Sequence, residues 1–163
     1  MSEKLIALQD WEVCAILDGN KTQTRSPLNP QPEICLWTDE EGLQCAKCFW
    51  GNIDDIDEPV DILPYLHYEV GDICRVQKAG SHERLHICLE ITSVQIEQLL
   101  DISAKDVEEE GIDVGERLVA HRFAFIAQRL YAEKWDGYYG ATLGATWKDD
   151  PWVATYTFKT ATL

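Results

Sequence analysis

The chain has 163 residues, with 29 Asp and Glu against 14 Lys and Arg, and a formal net charge of −15. Duplex DNA and anionic membrane surfaces both call for a basic face that displaces counterions. The sequence has no basic run anywhere, so neither is expected as a partner, and a local cationic pocket is left as the way to hold one phosphate or one nucleoside. The length fits a single domain spanning 1–163, and at this size folding buries roughly 70% of the surface of the unfolded chain.

The opening, MSEKLIALQD, lacks the charged, apolar, then small pattern of a signal peptide. No apolar run approaches the roughly 20 residues of a membrane span. A cytoplasmic protein of a bacterial or phage-infected cell is the expectation, with its six cysteines mostly free and buried. Asp10 to Leu17 predicts a short helix, with Asp10 as cap, Val13, Ile16 and Leu17 on one face, and Gly19 closing it in a left-handed conformation. The following KTQTR alternates like a strand until Pro27, Pro30 and Pro32 force an extended path.

Residues 33–67 read as an insertion or an elaborated loop. Within it EICLWTDEEGLQCAKCFWGN suggests a hairpin turning at EEG. Cys45 and Cys48 have the spacing of half a zinc site, with Cys35 before and His67 after. A second close pair is missing, so neither a metal nor another cofactor is expected. VGDICRVQK then reads as a turn and a strand, and RLHICLEITSVQIEQL as one or two more. In DISAKDVEEEGI, Ser103 is the N-cap of a short helix, Asp106 completes its capping box and Gly111 ends it. Residues 117–135 carry the longest helical period, through Phe123, Ile126, Ala127, Leu130, Tyr131 and Lys134. After a loop, WVATYTFKTAT predicts a final strand inside a sheet, with Trp152, Ala154, Tyr156 and Phe158 as a core stripe.

Four of these stretches, AILDGNKTQTR, VGDICRV, LLDISAKDVEEEGI and DDPWVATYTF, together resemble the ASCH-domain proteins, a branch of the PUA-like superfamily. Within it the phage and prophage proteins look most similar, with their KTQTRR opening and NPWVW-type terminal strand, and the N4-acetylcytidine amidohydrolases are more distantly similar. The resemblance implies an α+β fold, a small and mostly antiparallel β-barrel flanked by short helices. It also implies a catalytic set, carried over position by position to Lys21, Thr24 and Glu110. Two departures accompany it: the long segment between Arg25 and Asp72, and an arginine that follows the second threonine at once.

The residues themselves suit this chemistry. Threonine is a weak nucleophile until a base takes its proton or a cation stabilises its alkoxide, and lysine can supply either. In a regular strand Lys21 and Thr24 face opposite ways, so they converge only if the chain is turned after Gly19. Glu110 precedes the capping glycine and can turn inward with Ile112, while Glu108 and Glu109 belong to a solvated face. Arg25 and Arg75 are substrate-binding candidates at the cleft's edge, through bidentate donors suited to a carbonyl, carboxylate or phosphate. Trp37, Trp50 and Tyr65 are candidates for stacking on a base.

The preferred expectation is hydrolysis of an amide on a modified nucleobase or nucleoside. Thr24 or a water attacks the acyl carbon, Lys21 stabilises the oxyanion and Glu110 shuttles protons to the leaving amine. The alternatives are a non-catalytic RNA-binding module holding a few single-stranded nucleotides, and an acidic phage protein that binds a host nucleic-acid enzyme.

Overall fold

A computed structural model describes residues 3–32, 34–40, 43–49, 66–113 and 120–162, with side chains for all of these except 34–40, 43–49 and 120–124. In chain order the elements are β1 (Lys4–Leu8), α1 (Asp10–Leu17), β2 (Gln23–Pro27), β3 (Ile34–Glu40), β4 (Leu43–Phe49), β5 (Ile73–Lys78), β6 (Arg84–Gln98), a 3-10 turn at Leu99–Asp101, α2 (Ala104–Glu109), α3 (Ala120–Tyr139), a second 3-10 turn at Trp147–Asp149, and β7 (Trp152–Ala161). Among the described residues no helix is long and apolar enough to cross a membrane.

Five strands form one sheet in the order β1-β5-β6-β7-β2. β7 lies inside it, antiparallel to β6 on one side and to β2 on the other, as its alternation predicts. β6 is one 15-residue strand with a register shift between Ile91 and Ser93. Among the described strand pairs of this sheet three of four are antiparallel, as expected of a mostly antiparallel fold, but the expected barrel is corrected. β1 runs parallel to β5, which makes the sheet mixed. The sheet is also open, with β1 and β2 at its two edges among the described residues. The chain passes from one edge to the other through α1, whose buried Val13 and Ile16 fill the core that a closed barrel would enclose.

Side-chain alternation along β7 separates two cores. Ala154, Tyr156 and Phe158 join Ile6, Leu89 and Ile91 beneath α1, with Trp152 half-buried at the margin. Val153 joins Leu99, Val107, Ala127, Tyr131 and Trp135 beneath α2 and α3. α3 extends four residues past the expected end at 135, because Trp135 and Tyr139 pack ring on ring with centroids 4.4 Å apart. α2 has the expected box: the Asp106 N–H donates to Ser103 Oγ and the Ser103 N–H donates to the Asp106 carboxylate, both at 3.1 Å.

β3 and β4 pair as the expected hairpin, from Ile34 opposite Phe49 to Glu40 opposite Leu43. Cys35 stands opposite Cys48, and Cys45 opposite Thr38. Those side chains lie outside the described residues, as do that of Trp37 and all of Trp50 and Tyr65.

Candidate functional site

α1 unwinds through a tight wrap. Gly19, at φ 77°, donates to the Ile16 carbonyl, and the Asn20 and Lys21 N–H groups share the Ala15 carbonyl at 2.8 and 3.1 Å. The Thr22 N–H then donates to the Glu109 carbonyl at 2.7 Å, and Lys21 forms an isolated antiparallel bridge with Glu110. α2 arrives at this point through Gly111, at φ 97°. A Cβ there would stand 2.6 Å from the Ala15 Cβ and 3.0 Å from the Lys21 Cβ. Glycine is thus required twice over, for the left-handed backbone and for the close approach.

These contacts bury a charged cluster. Lys21, at 2% exposure, donates through Nζ to Glu110 Oε2 and to the Glu110 carbonyl, each at 2.9 Å, and lies 3.4 Å from Glu12 Oε1. Arg25 donates from Nη1 to Glu110 Oε1 and from Nη2 to Glu97 Oε1, both at 2.8 Å, with Asp106 at 3.5 Å. Glu97 also accepts from the Thr155 hydroxyl. Two cations therefore meet four carboxylates, and Glu110, itself 2% exposed, is the group both cations share. Burial disfavours the Arg25 charge, but Glu110 and Glu97 outweigh it and hold the guanidinium protonated beyond its ordinary range. Burial raises the Glu12 carboxyl above its usual range, against the pull of Lys21. Tyr131 is raised well above its ordinary value, by burial first and by Glu110 second, so its phenol stays neutral. The Arg25 Nε–H is buried without a hydrogen-bond partner among the described residues.

The cluster adjoins a small cleft of about 60 Å³, with Lys21 itself outside the lining. Glu12, Thr24, Arg25 and Glu110 line it together with the aromatics Trp11, Tyr131, Trp135, Tyr138 and Tyr139. Lys134 Nζ lies 5.0 Å from the centroid of the Trp11 ring, and Lys21 Nζ 5.6 Å from it. Its aromatic walls and few polar groups are the lining chemistry of a small-molecule site.

The structure brings Lys21 and Arg25 each into direct contact with Glu110. Thr24 lines the same cleft, but the register sets it opposite Tyr156 while Arg25 stands opposite Thr155. The two residues thus face opposite sides of the sheet, and the turn after Gly19 recruits Lys21, not Thr24, to the ion cluster. Thr24 has no side-chain hydrogen bond to a described residue. Arg75 is apart from the cleft: its guanidinium lies 3.2 Å from Glu3 and donates to the Leu85 carbonyl.

Several cleft residues escape sequence reasoning. Glu97 and Thr155 are brought together by the pairing of β6 with β7 and leave no local signal. Glu12 leaves one. It lies three residues after Gln9, the spacing of a capping box, and Gln9, not Asp10, is the N-cap of α1. The Gln9 N–H donates to Glu12 Oε2 at 2.8 Å. Elsewhere Cys14, Cys74 and Cys88 are free thiols, and burial pushes Cys74 up to about 11. His67 is exposed, and no group of His, Cys, Asp and Glu suited to a metal ion occurs among the described residues.

No family model and no curated protein matches the chain. Two solved structures are similar to it over almost its whole length. One is a protein of family model DUF984 from Enterococcus faecalis V583, at 15% identity and TM-score 0.49, covering 99% of this chain and 78% of that one. The other is an ASCH domain from Lactobacillus crispatus JV V101, at 17% identity and TM-score 0.45, covering 97% of this chain and 77% of that one.

Proposed function

We propose that the cleft is a hydrolase site for an amide carried on a nucleobase, an N4-acylcytidine-like nucleoside being the substrate it suits best. The observation that carries this reading is the Lys21–Glu110 pair, almost fully buried, whose Glu110 lines an aromatic-walled cleft. A buried ion pair is poor value as a stabilising device, since its desolvation cost offsets most of the attraction, so its position beside a cavity speaks for chemistry. The aromatic walls suit a flat base. Four carboxylates around two cations disfavour a phosphate, which favours an uncharged nucleoside over a polynucleotide.

In this mechanism a water attacks the acyl carbon. Lys21 turns one N–H from Glu110 to the carbonyl oxygen and stabilises the charge that develops there. Glu110 takes the proton of the nucleophile. Its two hydrogen bonds, to Lys21 and Arg25, leave lone pairs for this. Arg25 keeps Glu110 in place and offers its spare Nε–H. The test is release of the free acid from N4-acetylcytidine by the purified protein, followed beside the Lys21→Met variant. Turnover that falls by about 2 to 4 kcal/mol of barrier in the variant supports the reading, that being the usual cost of a lost oxyanion partner. A wild-type protein that is inert toward acylated nucleosides, yet binds single-stranded RNA with a steep salt dependence, would replace it with the RNA-binding module.

A further inference from the structure

Amide hydrolysis needs two proton transfers, one from the nucleophile and one to the leaving amine. Glu110 is placed for the first but is held by two cations at 2% exposure. Resting on the hydrolase reading, we propose that Glu12 is the general acid of this site and delivers the proton to the leaving amine. The side chain is 14% exposed and lines the cleft, and its Oε1 meets Lys21 only at 3.4 Å. Its Oε2 is fixed by the Gln9 N–H, so the capping box at the start of α1 orients the carboxyl toward the cavity instead of closing a solvated helix end. Glu97 is engaged by Arg25 and Thr155, and neither Glu97 nor Asp106 lines the cleft, which leaves Glu12 as the carboxyl of the cluster that borders it beside Glu110.

The charged and titratable groups that face Glu12 come from four elements. Lys21 lies in the turn after α1, Glu110 at the end of α2, and Arg25 on β2. Tyr131, Lys134, Tyr138 and Tyr139 line the cleft from α3. On its own helix Asp10 is exposed. Burial acts on Glu12 most strongly and Glu110 adds repulsion, both favouring the protonated acid, while Lys21 and the Gln9 N–H oppose them. A carboxyl that keeps its proton above the ordinary range is the form a general acid requires.

The protons balance. The oxygen of water bonds to the acyl carbon and its proton goes to Glu110. The carbon–nitrogen bond then breaks, and the nitrogen leaves as the amine with the proton from Glu12. Solvent returns a proton to Glu12 and removes one from Glu110. Lys21, within reach of both carboxyl groups, holds the two in one geometry.

Glu12→Gln tests this, because glutamine keeps the capping geometry and loses the ionisation. The readout is the pH dependence of kcat/KM for N4-acetylcytidine, with the melting temperature recorded beside it. The wild type should lose activity as pH rises through the Glu12 titration. In Glu12→Gln that limb should disappear and the rate fall by about 10²- to 10⁴-fold, the usual contribution of a positioned acid. A variant with the wild-type profile overturns the role of Glu12 and leaves the hydrolase reading standing. A wild-type protein without turnover overturns both. A rate lost only in proportion to a drop in folded fraction shows that the residue does no more than cap α1.

Discussion

Arg25 and Arg75 are equivalent in the sequence: each follows a motif turn, in KTQTR and in GDICR, within an acidic chain. The structure separates them. Arg25 is 5% exposed and contacts carboxylates from β6 and α2, while Arg75 lies near the opposite edge of the sheet with Glu3, whose side chain is 41% exposed and also pairs with Arg84. What distinguishes them is desolvation. Around Arg25, three segments converge and exclude water, so each partner is held by the others and a missing one leaves a bare charge. Around Arg75, solvent can replace any partner at little cost.

The largest effect is expected from Glu110→Ala, which strands Lys21 and Arg25 in a buried space without their shared partner. A loss of about 3 to 5 kcal/mol in denaturant unfolding would match such a cluster. A loss below 1 kcal/mol would show that water enters the cluster, and the contrast with Arg75 would collapse. Gly111→Ala comes next. Its methyl group runs into Ala15 and Lys21, and overpacking of this kind costs about 1 to 3 kcal/mol. Because it parts α2 from α1 at the point where Glu110 meets Lys21, it should also reduce activity by more than its melting temperature implies.

A smaller effect, with a defined pH sign, belongs to Glu12. Its folded carboxyl titrates above the unfolded value of 4.5, so the native state binds more protons than the unfolded state between these two points. Stability therefore falls as pH rises through that window. Glu12→Gln should flatten this part of the stability profile, and an unaltered slope in the variant would contradict the burial of the group. The smallest effects lie on the exposed side. Arg75→Ala should change stability by no more than about 1 kcal/mol. At Asp72, burial opposes ionisation but the hydrogen bond from Lys4 prevails and lowers the carboxyl. The contribution of that pair is present above the unfolded value of 3.8 and is lost as pH falls through the folded one, so Asp72→Asn should differ from wild type at neutral pH and converge with it in acid.

The residues legible in the sequence are those whose partners are local or whose backbone demands are special. Ser103, Asp106 and Gly111 announce α2 and its end, and so place Glu110 against the chain that follows Gly19. The alternation of residues 152–158 announces a strand with a buried face. The open sheet was not legible. β1 has five residues without turn signals, and it pairs with β5 across some 70 positions of chain. Glu97 and Thr155 were hidden for the same reason, since each gains its role from a partner 58 positions away. Glu12 was hidden by a one-residue difference in the cap: with Asp10 as cap the glutamate sits idle, and with Gln9 as cap it faces the cleft.

The central claim is that the buried cluster, and not the exposed one, performs chemistry. The most direct measurement is kcat/KM toward N4-acetylcytidine for wild type, Lys21→Met and Arg75→Met under one set of conditions. The account predicts a loss of about 30- to 1,000-fold for Lys21→Met, equivalent to about 2 to 4 kcal/mol, and a rate within twofold of wild type for Arg75→Met. Equal losses in the two variants, or full activity in Lys21→Met, would contradict it.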